Sequence, residues 1–249
     1  PAKAMELLPD AIYAEVSTSG HGLHVFVWSS EASFRRDRCR VLFAFAVYSH
    51  DGKEVAEVTT VIRNQGTSLA VREKLAADGR PVLLAFSCGK DSIAAWLAMR
   101  DMGIEVVPAY LYYVPGLRFV DEELDYFEQK FQTRIKRYPH PSLYRWLNNA
   151  VFQAPERLRY IEAARLPEPS YEQMWDFIRA DVGLDKSTWC ADGVRAADSI
   201  QRRGAFVQYG YWRRNLKKVS PIGDWLKGEV LDCISGHHIE LPCDYAWFG

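Results

Sequence analysis

Paired cysteines are missing from this sequence. Its five cysteines, Cys39, Cys88, Cys190, Cys233 and Cys243, are scattered, with no C-x-x-C or C-C pair among them. That spacing argues against a zinc ribbon, a thioredoxin-type site and a dedicated cysteine-ligated iron–sulfur cluster. The odd count argues against a disulfide framework and predicts a reducing, cytoplasmic setting. No run approaches the ~20 apolar residues of a membrane-spanning helix. The opening PAKAMELLPDAIYAEV lacks the basic-then-apolar layout of a secretion signal, so a soluble intracellular protein is expected. Net charge is also missing. Lys and Arg number 31 against 32 Asp and Glu, so nothing global points to a nucleic acid or a membrane.

What remains is an ordinary globular composition: 249 residues, 48% hydrophobic, 25% charged and 13% aromatic. A chain of this length buries a sizeable core without staples, as one large domain or one domain plus a smaller one. The pattern changes near residue 68. Before it, residues 12–17, 23–28, 41–48 and 54–63 read as strands, the last two joined by the Asp51-Gly52 turn. Residues 1–67 are therefore expected to form a small antiparallel β unit.

Residues 68–249 read as an α/β domain with a parallel twisted sheet and flanking helices. A short helix over 68–78 ends at Gly79. Val82 to Phe86 is a continuous apolar run, the signature of a strand buried on both faces. A helix over 91–102, closed by Gly103, and a strand over 104–114 complete a parallel strand–helix–strand unit. Asp121 is the expected N-cap of a helix to Thr133, with Leu124, Phe127 and Phe131 on its apolar face and a solvated acidic face opposite. A short strand over 134–138 follows, then helices over 142–152, 155–166 and 171–183, separated by prolines.

The chemistry concentrates in Ser87-Cys88-Gly89-Lys90-Asp91-Ser92. A buried strand ends there and a helix begins at once. Backbone N–H groups in such a turn face one concavity, and the helix N-terminus adds partial positive charge. Ser87 and Ser92 offer hydroxyls, Lys90 a full charge, and Gly89 close backbone approach. These features describe a phosphate or sulfate cradle. A Walker A loop would need Gly at Leu84 and Ser or Thr at Asp91, and no G-x-G-x-x-G follows the strand. Between Gly193 and Lys218 seven basic residues face a single acid, Asp198, a net +6. Arginine suits bidentate recognition of phosphate or sulfate oxygens, so this segment is expected to wall the loop.

The loop resembles the S-G-G-K-D-S pyrophosphate loop (PP-loop) of the adenine-nucleotide alpha-hydrolase-like superfamily, with Cys88 in place of the first glycine. Two later stretches narrow the likeness. Gly193-Val194-Arg195, continuing through Asp198-Ser199 to Arg202 and Arg203, is similar to the G-x-R-x-x-[DE]-S-x-x-R segment of phosphoadenosine phosphosulfate (PAPS) reductases. Lys218-Val-Ser-Pro221-Ile222-Gly-Asp224-Trp225 is similar to that family's K-x-x-P-[LI]-x-D-W segment. Order and spacing agree across about two-thirds of the chain, residues 80–242. Some members of the family are encoded by bacteriophages, for which the setting would be the host cytoplasm.

The resemblance implies a HUP-like, PP-loop fold and an adenine nucleotide as substrate: PAPS, adenosine phosphosulfate (APS) or ATP. Ser87, Cys88, Gly89, Lys90, Asp91 and Ser92 would hold its anionic end, with Arg195, Ser199, Arg202, Arg203 and Lys218 opposite and Tyr112 near the adenine. Lys90, Arg195 and Cys243 are the catalytic candidates. Reduction of a sulfonucleotide would use a thioredoxin-like reductant and, in the family, a cysteine in an E-C-G-x-H tail. No such segment occurs here, where the sequence ends Ala246-Trp247-Phe248-Gly249. Either a tail is missing or the enzyme does not reduce sulfonucleotides.

The alternative is an ATP pyrophosphatase that adenylates a nucleic-acid base or small molecule, with Mg²⁺ on the phosphates and Asp91 assisting. A nucleotide-binding module without chemistry is the third reading. Cys88, at a helix N-terminus beside Lys90, is a candidate for a lowered thiol pKa. His140 is a loop residue that could approach the site, and His237-His238 are placed at a helix-to-strand turn without a third metal ligand. No iron–sulfur cluster is expected, and the choice of nucleotide and a homo-oligomeric state both stay open.

Overall fold

The structure, a computed structural model, describes residues 11–16, 23–27, 66–151 and 153–248. The chain divides into two compact units, Pro1–Thr59 and Thr60–Gly249. In the first, β1 (Ala11–Val16) pairs antiparallel with β2 (Leu23–Val27), Val16 opposite Leu23, with a bulge near Ala11. The strands expected over 41–48 and 54–63 lie outside the described residues.

The second unit is an α/β layer structure. Helix α1 (Ser68–Asp78) is capped by the Thr67 hydroxyl and closed by Gly79 in the left-handed region. Strand β3 (Val82–Phe86) leads through the loop into α2 (Lys90–Arg100), and β4 (Val106–Tyr112) returns parallel to β3. Helix α3 (Arg118–Phe131) begins three residues before the expected cap, with Leu117 at the N-cap, so Asp121 lies in the first turn. There Asp121 and Asp125 pair with Arg137 of β5 (Lys136–Pro139), at 3.3 and 2.8 Å, so part of the acidic face is bridged rather than merely solvated.

Helix α4 (Pro141–Asn148) ends four residues short of its expected end. A 3₁₀ turn (Pro155–Arg157) precedes α5 (Leu158–Ala164), and α6 (Tyr171–Asp181) starts with a Ser170/Gln173 capping box. Three two-residue strands follow, β6 (Cys190–Ala191), β7 (Trp212–Arg213) and β8 (Lys218–Val219), with α7 (Ile200–Tyr209) between the first two. Helix α8 (Lys227–Gly236) and a short α9 (Asp244–Phe248) end the chain. The turn at His237-His238 therefore joins two helices among the described residues, where a strand was expected.

The sheet has six strands in the order β5-β4-β3-β6-β8-β7 and is parallel except for β7 on β8. Strand β3 is central, and its alternation explains its unbroken apolar run. Val82, Leu84 and Phe86 face one core with Trp96, Phe127 and Val230, from α2, α3 and α8. Leu83 faces the other, with Ala109, Met174, Trp175 and Ile178, under α6. Helix α2 is buried almost all round, from Ile93 to Met99, because sheet, α3 and α8 enclose it. Trp96 stacks on Phe131 at 3.9 Å, and Phe86 meets the edges of Trp96 and Phe127. No helix among the described residues is long and apolar enough to cross a membrane.

The parallel strands end along one edge. It carries the Ser87–Ser92 loop after β3, Tyr113 after β4, His140 after β5, Asp192 and Gly193 after β6, and Ser220 after β8. In open α/β sheets this edge is where ligands sit.

Candidate functional site

The loop is held by its own small side chains. The Ser92 hydroxyl donates to the Gly89 carbonyl at 2.8 Å and accepts from the Ser87 backbone N–H at 3.2 Å. Ser87 Oγ lies 3.2 Å from Ser92 Oγ and 3.4 Å from the Gly89 nitrogen. Gly89 is the N-cap of α2 and has no side chain to cap the first-turn N–H groups.

Cys88 has φ +61°, in the left-handed region. This is the place where the PP-loop pattern has glycine, and a side chain there costs roughly 1–2 kcal/mol. Cys88 is tolerated because it is unbranched and packs against the core. Cys88→Gly is expected to keep or raise stability by up to ~1 kcal/mol, whereas branched Cys88→Val lowers it by at least as much. Thermal melts of the two variants check this; equal melting temperatures would contradict it. The expected low thiol pKa is overturned: burial, reinforced by Glu123 and Asp244, pushes the Cys88 thiol up to about 12.

Lys90 and Asp91 form an ion pair at 2.7 Å, and the other Asp91 oxygen lies 2.9 Å from Arg195 Nε. That second contact is electrostatic only, since neither atom has a hydrogen bond and both are buried. Arg195 continues to Asp198 Oδ1 at 2.7 Å and to the Trp225 carbonyl at 3.4 Å. Asp198 then holds Arg202 at 2.6 Å. Arg195 is thus the point where the loop, the Gly193–Arg203 segment and the Pro221–Trp225 segment meet.

Gly193 explains how closely they meet. A Cβ there would lie 2.6–2.8 Å from the carbonyl carbon and oxygen of Asp91 and the nitrogen of Ser92. The strand-end backbone after β6 therefore presses on the first turn of α2, with no room for a side chain. Beside it Asp192, Ser220 and Arg213 close a second polar cluster, with Arg213 2.5 Å from Asp192 Oδ2 and the Ser220 hydroxyl donating to Oδ1 at 2.7 Å.

No protein-family model and no curated protein matches this chain. The site is therefore read from its own geometry.

The structure brings together only part of the expected set. Ser87, Cys88, Gly89, Lys90, Asp91, Ser92 and Arg195 are contiguous, and Arg202 joins through Asp198. Ser199 instead caps α7, accepting from the Arg202 N–H at 3.2 Å. Arg203 lies near enough to Tyr211 to act on its phenol. Lys218 is directed elsewhere, its ammonium 5.7 Å from the Tyr171 ring centre. Tyr112 ends β4, where its carbonyl accepts the His140 N–H at 2.8 Å, and it is the adjacent Tyr113 whose ring stacks on a neighbour.

His140 lies in the loop after β5, as expected, and is the N-cap of α4, its Nδ1 accepting from Ser142 N at 3.1 Å. Burial, helped by Arg145, lowers its pKa below the ordinary value. Cys243 lies against α3, its N–H donating to Glu123 at 2.8 Å; desolvation and that carboxylate raise its thiol pKa.

Asp224 and Trp225 of the third segment have structural work. Asp224 accepts from the Ser68 backbone N–H at 2.9 Å and from its hydroxyl, holding the N-terminus of α1. The Arg72 guanidinium lies over the Trp225 ring at 5.2 Å. His237 bridges the Cys233 carbonyl and Asp101, which raise its pKa, and it has no metal-ligand company. Among the described residues no three His, Cys, Asp or Glu side chains gather in a metal-binding group. Asp91, the residue expected to assist Mg²⁺ on the phosphates, has its two oxygens turned to Lys90 and Arg195.

One contact had no signal in the sequence. The Tyr245 hydroxyl accepts the Lys90 backbone N–H at 3.0 Å and lies 3.7 Å from where a Gly89 Cβ would be. A phenol oxygen thus takes one of the cradle's donors. Only the fold brings residue 245 to residue 90.

Proposed function

We propose that this chain is an adenine-nucleotide-binding enzyme of PP-loop type, resembling PAPS reductase, that takes the phosphate or sulfate end of PAPS, APS or ATP in the Ser87–Ser92 loop. The observation that carries the reading is the convergence on Arg195. The three segments that resemble the family in sequence meet there, at Asp91, at Asp198 and at the Trp225 carbonyl. An anion in the loop would face backbone donors, the α2 terminus and the Lys90 charge, with Arg195 behind them between Asp91 and Asp198. The Tyr245 oxygen marks where an anionic oxygen would accept.

The thiols favour the ATP reading over sulfonucleotide reduction. A nucleophilic thiolate needs a lowered pKa, yet Cys88 and Cys243 are both raised, each with Glu123 among the causes. In the ATP reading a substrate oxygen or nitrogen bonds to the α-phosphorus. The bond to the β-phosphate oxygen breaks, and pyrophosphate leaves.

A thermal-shift panel of PAPS, APS, ATP and AMP tests the binding step. At least one phosphate- or sulfate-bearing nucleotide is expected to stabilise the protein. Lys90→Ala is expected to weaken it about tenfold or more, the worth of a charge-assisted hydrogen bond. Tyr245→Phe, which releases one donor, is expected to strengthen it about threefold. A panel without any shift, or binding indifferent to Lys90→Ala, would defeat the proposal.

A further inference from the structure

A second constellation lies on the same edge, outside the loop. Tyr113, after β4, stacks on His140 at 4.1 Å on one side and on Trp146 of α4 at 4.7 Å. The Tyr171 hydroxyl reaches His140 Nε2 at 2.9 Å, as the Tyr113 hydroxyl does at 3.1 Å. With Nδ1 accepting from Ser142, the Nε2–H is shared between two phenols. These rings are not core. Tyr113 is 39% and Trp146 40% exposed, so both rings reach water.

On the next helix Tyr160 is 62% exposed, with the Arg159 guanidinium 4.7 Å from its ring centre and bonded to its hydroxyl. Lys218 reaches the Tyr171 ring from β8. Between Arg134 and Leu166, Lys136 and Arg137 are paired with Asp181, Asp121 and Asp125, while Arg145, Arg157, Arg159 and Arg165 stand against Glu156 and Glu162.

We propose that this surface, formed by Trp146, Tyr160, Arg145 and Arg159 and backed by Tyr113, binds single-stranded nucleic acid, stacking its bases on the exposed Trp146 and Tyr160 rings. Sequence-tolerant single-strand binding combines aromatic platforms with cations that track the phosphates, and both are interleaved here. A mononucleotide offers one base. Trp146 on α4 and Tyr160 on α5, the latter with Arg159 at its ring, offer two rings for successive bases of a strand. The rings are also placed to serve the loop. Neighbouring strands lie ~4.8 Å apart, so Tyr113 and His140, after β4 and β5, begin about 5 to 10 Å from the end of β3 along the sheet. As a binding surface this stands on its own observations. Its assignment as the second-substrate surface of the loop rests on the nucleotide reading proposed above.

The test is fluorescence anisotropy of the full chain with labelled RNA and DNA strands of about 12 nucleotides, the footprint of such grooves. Binding is expected to be stronger for single strands than for the same sequence as a duplex, and to weaken steeply with salt. Trp146→Ala combined with Tyr160→Ala is expected to weaken it about tenfold or more, and Trp146→Phe to retain it. Trp146→Ala gives up the stack on Tyr113, so a drop of a few degrees in melting temperature is expected, without loss of the fold. Lys90→Ala should leave strand binding unchanged.

No binding at low salt overturns the proposal, as does a double variant that binds like the parent. Equal affinity for the duplex assigns the surface to charge alone and overturns it too. If the double variant loses its response to AMP, the rings serve the mononucleotide's own adenine and the proposal fails. Strand binding without any nucleotide shift would leave this surface standing and remove the nucleotide reading, and the reverse result would do the opposite.

Discussion

Gly193→Ala is expected to abolish nucleotide-dependent stabilisation and to lower stability by about 3 kcal/mol, the upper end for overpacking. All three atoms within 3 Å of the new methyl are main chain, belonging to Asp91 and Ser92. A flexible side chain could move aside; the first turn of a helix cannot. The methyl must push α2 away from β6, and α2 is buried from Ile93 to Met99. Its displacement would disturb the core with Phe86 and Trp96 and turn the N–H groups of the loop out of line. For a unit of this size the drop corresponds to roughly 6–12 °C in melting temperature. Thermal melts with and without the stabilising nucleotide measure both effects. A variant that melts like the parent and keeps its nucleotide shift would show that Gly193 does not set the loop.

Arg179→Ala is the second large effect, about 3–5 kcal/mol, through a residue that touches no part of the loop. Arg179 on α6 is only 2% exposed. Its Nε donates to the Thr188 carbonyl at 2.8 Å, one Nη to Asp176 at 2.9 Å and the other to the Lys217 carbonyl at 3.5 Å. Thr188 lies just before β6 and Lys217 just before β8. One guanidinium therefore ties down the entry to two strands that have only two residues each. The truncation leaves a cavity beside Ile178 and deprives the Thr188 and Lys217 carbonyls of a donor. Because β6 delivers Gly193 and Arg195, the nucleotide shift should shrink together with stability. Arg179→Lys keeps the charge without the fork and should recover less than half of the loss. Chemical denaturation of both variants decides the matter; a loss under 1 kcal/mol for Arg179→Ala would contradict this role.

The two variants separate what local sequence specifies from what it does not. The loop was legible because everything it needs is contiguous. An apolar run, small residues, Lys90 and an immediate helix define a turn over a dozen positions, and β3, α2 and β4 form where hydrophobic period and glycine punctuation place them. The buried face of α3 was legible for the same reason, since Leu124, Phe127 and Phe131 recur at helical spacing. The cap at Asp121 failed because Leu117, with no capping side chain, opens the helix one turn earlier. Strands β6, β7 and β8 carried no signal, since two residues cannot display a period. Their pairing comes from neighbours such as Lys217, whose carbonyl accepts the Cys190 N–H at 2.8 Å.

The basic segment shows the same division by residue. Its +6 charge was visible in composition, but charge has no direction until a backbone gives it one. The fold turns Arg195 to Asp91, leaves Arg202 one ion pair further out, and sends Lys218 to Tyr171. It likewise sets Cys88 at positive φ, where its half-buried thiol is held protonated, and brings Tyr245 to the Lys90 N–H. The scattered cysteines and the near-zero net charge were properties of the sequence alone. Which thiols are buried and which charges pair was decided by tertiary structure, because desolvation and ion pairing act between residues a hundred positions apart.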